Sequence, residues 1–82
     1  MSDRTIGILG LGIFGSSVLT ALAKQDMNII AIDDHAERIN QFEPVLARGV
    51  VGDITDEELL RTAGIDTCDT VVVAVSYTHL TL

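Results

Sequence analysis

Ile8-Leu9-Gly10-Leu11-Gly12-Ile13-Phe14-Gly15 decides the fold of this chain. It ends the apolar, β-branched run Thr5–Leu9. It also opens a stretch in which Gly15, Val18, Leu19 and Leu22 fall at i, i+3, i+4 and i+7, the spacing of one apolar helical stripe. Glycine-rich turns are common, but between a strand and an amphipathic helix the pattern G-x-G-x-x-G gives each glycine a physical task. Gly10 permits a tight turn out of the strand. Gly12 lets the backbone approach a pyrophosphate with no Cβ in the way, and Gly15 lets helix and strand pack closely. The free N–H groups around Gly12, Ile13 and Phe14 are expected to face phosphates at the positive end of the helix.

Outward from this segment the pattern repeats. Asn28–Ile32, Arg48–Val51 and Thr70–Val75 are short apolar runs rich in β-branched residues and bounded by Gly, Asp or Asn, the signature of buried strands. A second helix is expected over Ala36–Phe42, with Ile39 and Phe42 inward and Pro44 forbidding continuation. A third is marked by Thr55-Asp56-Glu57-Glu58, a capping box with Thr55 as the cap. Gly64 before Ile65 supplies its left-handed stop. Strands and helices therefore alternate as β-α-β-α-β-α-β. Right-handed crossovers turn that order into a parallel α/β sheet of the Rossmann type, strand order 3-2-1-4, with the fourth strand at an edge.

The second strand runs into Asp33, 23 residues beyond Gly10. A carboxylate there can accept hydrogen bonds from both hydroxyls of an adenosine ribose and repels a 2′-phosphate; no arginine adjoins it in sequence to reverse that repulsion. The purely structural alternative is a cap for the second helix, a role open to Asp34 as well. His35 reads as a surface residue. At the end of the third strand Asp53 and Ile54 occupy the same sheet edge, where Asp53 can meet the adenine amino group and Ile54 the ring.

Composition narrows the alternatives. With 82 residues, a formal net charge of −7 and 48% hydrophobic content, the chain is one small domain with enough apolar side chains for a core. Five scattered basic residues make no stripe for a nucleic-acid backbone. One cysteine, Cys68, excludes an internal disulfide and a thiolate metal cage, and reads as an inert core thiol. The N-terminus begins no signal peptide and no apolar run is long enough to span a bilayer, so a cytoplasmic location is expected.

Taken together, Ile8–Gly15, Ile30–Asp34, Val51–Leu60, Ala63–Ile65 and Val71–Val75 resemble the regulator-of-potassium-conductance domain. More narrowly they are similar to the N-terminal nucleotide-binding domain of cytosolic regulatory subunits of bacterial Trk and Ktr potassium uptake systems. The Gly52-Asp53-Ile54-Thr55-Asp56 entry to the third helix is the most discriminating part, because ordinary dehydrogenases seldom share it. The resemblance implies a non-enzymatic module that binds NAD(H) or ATP/ADP, assembles in the complete protein into a homo-oligomeric ring, and gates a membrane potassium-translocating subunit. It would then sit at the inner membrane only through that partner. Many Ktr-type members carry an arginine where this chain has Ile13, which leaves the physiological nucleotide open.

The resemblance ends at Val75. Residues 1–75 are expected to form an incomplete Rossmann-type domain, whereas 76–82, Ser-Tyr-Thr-His-Leu-Thr-Leu, read as a non-native tail. No His/Ser/Asp set, metal-ligand spacing or P-loop lysine appears. The alternative function is the cofactor-binding half of an NAD-dependent dehydrogenase.

Overall fold

The computed structural model describes residues 4–74; Val75 and the suspected tail lie outside the described residues. Four strands, β1 (Thr5–Leu9), β2 (Asn28–Asp33), β3 (Arg48–Val51) and β4 (Thr70–Val73), alternate with three helices. These are α1 (Ile13–Leu22), α2 (Ala36–Phe42) and α3 (Glu57–Ala63). The sheet order is β3-β2-β1-β4 and all three pairings are parallel, as the alternation requires. Single-turn 3-10 segments at Glu43–Val45 and Ile65–Thr67 follow α2 and α3.

The direction of each crossover fixes which face a helix covers. From β1 to β2 to β3 the chain steps one way along the sheet, so right-handed connections put α1 and α2 on one face. The β3-to-β4 connection runs back the other way and puts α3 on the opposite face. The strand side chains divide accordingly. Ile6, Ile8, Ile29 and Ala31 join Leu11, Leu19 and Ile39 in one buried cluster. Leu9, Ile30 and Ile32 join Ala63 and Ile65 in the other. Strands buried on both faces explain the unbroken apolar runs. Full burial of a side chain such as Ile8 or Ile32 is worth about 1.5–3 kcal/mol, so β1 and β2 anchor the fold.

The helix ends follow local chemistry. Gly15 and Leu19 are buried, with Val18 and Leu22 partly so, matching the expected stripe. Gly64 takes φ 94° and closes α3 with its N–H on Arg61 O and Leu60 O, the left-handed stop read from the sequence. The Arg48 guanidinium donates to the carbonyls of Thr62 and Ala63. It thereby ties β3 to the negative end of α3.

Three expectations are corrected. The cap of α3 is Asp56, whose carboxylate accepts from Glu58 N and Leu59 N; Thr55 instead donates its hydroxyl to Asp53 at 2.7 Å. Neither Asp33 nor Asp34 caps α2, because the N-cap position is His35 and no side chain closes it. Strand β4 ends at Val73, although Ala74 N still donates to Leu9 O. Cys68 packs against the sheet, with its thiol donating to Gly64 O. Burial, with the nearby charges of Asp69 and Asp66, pushes that thiol's pKa up, which suits an unreactive group.

Candidate functional site

At the carboxyl ends of the strands lies a cleft of about 420 Å³ lined by Gly10, Gly12, Ile13, Asp33, Asp34, Arg38, Asp53, Ile54 and Ala74. Its position follows from the topology. Between β1 and β4 the chain connections depart in opposite directions, and that switch opens a crevice. Each strand contributes to it: β1 the glycine-rich turn, β2 the aspartates, β3 Asp53 and Ile54, and β4 Ala74.

The glycine turn is built as its sequence demands. Gly10 has φ 101°, a region closed to side chains at little cost only for glycine. Gly12 is the N-cap of α1 and has no side-chain cap, so the first amides of the helix are free to meet a ligand. A Cβ on Gly15 would overlap the carbonyl oxygen of Gly10 and stand 3.3 Å from the Ala74 Cβ. Gly15 therefore permits the close approach of α1 to the turn, lying behind the cleft wall. The Phe14 side chain is exposed and is not among the lining residues. Only its backbone amide, in the first turn of α1, is placed to act there. Ile13 lines the cleft while remaining 87% exposed.

Asp33 is the best-held side chain of the cleft. It is only 3% exposed, and a buried carboxylate must be fully hydrogen-bonded to stay charged. One oxygen, Oδ2, accepts from Leu11 N at 2.6 Å and faces Arg38 Nη1 at 3.5 Å. The other, Oδ1, accepts from His35 N at 2.7 Å and meets the His35 ring at 3.0 Å. Burial alone would raise its pKa. The bonds from Leu11 and His35 and the charge of Arg38 outweigh that and hold it below the ordinary aspartate value. The Leu11 bond also joins the end of β2 directly to the glycine turn, fixing the two halves of the cleft against each other.

The surrounding charges differ from the sequence reading in one respect. Asp33 does have an arginine beside it: Arg38 is five residues on, and the first turn of α2 brings it back over the strand end. Asp34 is exposed and its Oδ1 lies 2.6 Å from His35 Nδ1, so one ring nitrogen faces two carboxylates. Across the cleft Asp53 accepts from the hydroxyl and the amide of Thr55. Those two bonds, the hydroxyl's first, lower its pKa.

Of the residues singled out from sequence, Gly10, Gly12, Ile13, Asp33, Asp34, Asp53 and Ile54 converge on this cleft, and Phe14 and Gly15 stand outside it. Arg38 and Ala74 were missed. Arg38 was detectable in principle, since a residue in the first turn of a helix after a strand-end carboxylate can fold back onto it.

A family model, the TrkA-N domain, matches residues 6–81, which takes in every element just described. The chain belongs to the TrkA-N domain family. This TrkA-N domain is similar to Ktr system potassium uptake protein C of Bacillus subtilis, 32% identical over 72 residues covering 88% of this chain and 33% of that protein. It is also similar to Ktr system potassium uptake protein A of the same organism, 27% identical over 75 residues covering 92% and 34%. Ktr system potassium uptake protein A of Vibrio alginolyticus matches at 26% over 73 residues, covering 89% and 33%. The chain thus spans about a third of the length of these relatives. Among solved structures, the fold superposes on N5-carboxyaminoimidazole synthetase from Staphylococcus aureus complexed with ADP. The TM-score is 0.70 at 22% identity, covering 87% of this chain and 18% of that one, a likeness of fold alone. Among the described residues no helix is long and apolar enough to cross a membrane.

Proposed function

We propose that this TrkA-N domain binds an adenine nucleotide, NAD(H) or ATP/ADP, in the cleft at the carboxyl edge of its sheet. In the longer protein to which such domains belong, it would use that binding to regulate potassium uptake through a membrane partner. The observation that carries the reading is the direct hydrogen bond from Leu11 N to Asp33. It sets an uncapped helix N-terminus, suited to phosphates, at a fixed distance from a charged carboxylate suited to ribose hydroxyls. A volume of about 420 Å³ lies within the roughly 300–1,000 Å³ of small-molecule sites.

Regulation needs differential affinity: a nucleotide shifts a conformational equilibrium only as far as it binds one state better than the other. The names of the Ktr relatives support potassium uptake as the process regulated, a cytoplasmic position beside a potassium-translocating membrane subunit, and a homo-oligomeric ring as the assembly. They also favour this module over the cofactor half of a dehydrogenase. For the dinucleotides we expect NAD(H) to bind more tightly than NADP(H). Asp33 and Asp34 together outnumber Arg38, so a 2′-phosphate meets net negative charge.

The test is calorimetric titration of NAD, NADH, ADP and ATP into the wild-type protein and Gly12→Val. A β-branched side chain at Gly12 would stand where a pyrophosphate approaches the first amides of α1. Saturable binding to wild type, lost in a Gly12→Val protein that still unfolds cooperatively, is the expected result. Equal affinity in the two proteins would refute the phosphate assignment.

A further inference from the structure

Asp33 is fully engaged before any ligand arrives. Its two oxygens face four donors: two backbone amides and two side chains. The amides of Leu11 and His35, at 2.6 and 2.7 Å, belong to the turns that shape the cleft and cannot leave without unmaking it. The side-chain donors are longer, with the His35 ring at 3.0 Å and Arg38 at 3.5 Å. Both sit on side chains that are about half exposed, 49% and 43%, and so are free to swing out. A ribose that hydrogen-bonds to Asp33 must take the positions that these two side chains hold.

We propose that His35 is a specificity-determining residue of the cleft: its imidazole occupies the ribose position on Asp33 in the empty protein and competes with the ribose hydroxyls. The proposal rests on the assignment of Asp33 to ribose made above. The ring is well placed to compete because its Nδ1 faces Asp33 at 3.0 Å and Asp34 at 2.6 Å. Displacing it breaks contacts with two carboxylates at once. Arg38 stands on the other oxygen of Asp33, and the glycine turn brings only the Leu11 amide. Asp53, at the end of β3, is the remaining charged residue of the lining.

Histidine is the side chain whose charge changes between pH 5 and 8. A protonated ring held by two carboxylates makes charge-assisted bonds, roughly twice as strong as those of a neutral ring. The competitor therefore weakens as pH rises, and the advantage that a ribose confers grows with it. A nucleotide without ribose hydroxyls does not contest the position and shows no such gain.

The experiment compares ADP with 2′,3′-dideoxy-ADP at pH 5.5 and pH 8. The two ligands share the same phosphate titration, so the ratio of their dissociation constants isolates the ribose. In wild type that ratio should favour ADP more strongly at pH 8, by about fivefold over its value at pH 5.5. In His35→Ala it should be independent of pH and at least as large as the wild-type value at pH 8. A wild-type ratio that is flat with pH, or a ribose advantage that falls in His35→Ala at pH 5.5, would overturn the competition. Equal binding of the two ligands to wild type at both pH values would overturn the ribose assignment itself, and the proposal with it.

Discussion

Replacing Asp33 by Ala removes the acceptor that holds together the end of β2, the glycine turn and the entry to α2. Two backbone donors are orphaned. Leu11 N is in a buried bond and His35 N in a partly buried one. A hydrogen bond to a charged group is worth about 1.5–3 kcal/mol and an unsatisfied buried donor costs about 1–3 kcal/mol. Taking the upper part of the range for Leu11 and the lower for His35, the loss is about 3–5 kcal/mol. For a chain of this size, total stability at about 0.05–0.15 kcal/mol per residue is of the same order, so Asp33→Ala should be at best marginally folded. Urea denaturation followed by circular dichroism measures it. Asp34→Ala, on a carboxylate 71% exposed, should shift the midpoint little and serves as the control. The acid limb gives a second readout. Because the folded Asp33 carboxyl lies below its ordinary value, its contribution is complete above the unfolded aspartate range, near pH ~4. It is lost as pH falls through the lower folded value. Asp33→Asn should therefore lose stability at neutral pH and show a shallower decline on acidification. A cost below about 1 kcal/mol for Asp33→Ala at neutral pH would refute this picture of the cleft.

Gly15→Ala tests the close approach of α1. In an ordinary helix interior the change gains up to about 1 kcal/mol, but here the new Cβ meets the Gly10 carbonyl, which no rotamer can relieve. A net loss of about 2 kcal/mol or more in thermal or denaturant melts is expected, and unchanged or improved stability would contradict it. Asp56→Ala should cost about 1 kcal/mol by loss of the α3 cap. Thr55→Ala should cost less, and the reverse order in paired denaturation curves would restore Thr55 as the cap. Arg38→Gln should widen the preference for NAD over NADP in competition titrations, because it removes the charge that partly offsets Asp33 and Asp34. A narrowed preference would mean that Arg38 does not face the 2′ position.

Much of this was legible in the chain. The strand order follows from the alternation of apolar runs with helical stripes together with the handedness of crossovers, and Gly10, Gly15 and Gly64 each occupy a backbone situation that their surroundings foretold. What escaped reading depends on how short segments fold back on themselves. Thr55 and Asp56 are both competent caps, and the choice fell to Asp56 once Asp53 engaged the Thr55 hydroxyl. Arg38 is distant from Asp33 in sequence but not after one turn of helix. That Asp33 is already saturated by donors could not be inferred from its identity, because two of those donors are backbone amides whose directions exist only in the folded turns. Phe14 carries an aromatic ring yet points to solvent, since the helical stripe begins at Gly15 and leaves the residue before it outside.

Backbone amide shifts recorded during titration of NAD(H), ADP and ATP into the isotopically labelled protein test the nucleotide cleft most directly. Saturable shifts should concentrate at Gly10–Ile13, Asp33–Asp34 and Asp53–Ile54. The smaller hollow at the opposite, amino edge of the sheet, lined by residues including Thr5, Asn28, Arg48 and Gly64, should stay silent. Shifts confined to that amino edge, or no saturable shifts with any of these nucleotides, would contradict the account.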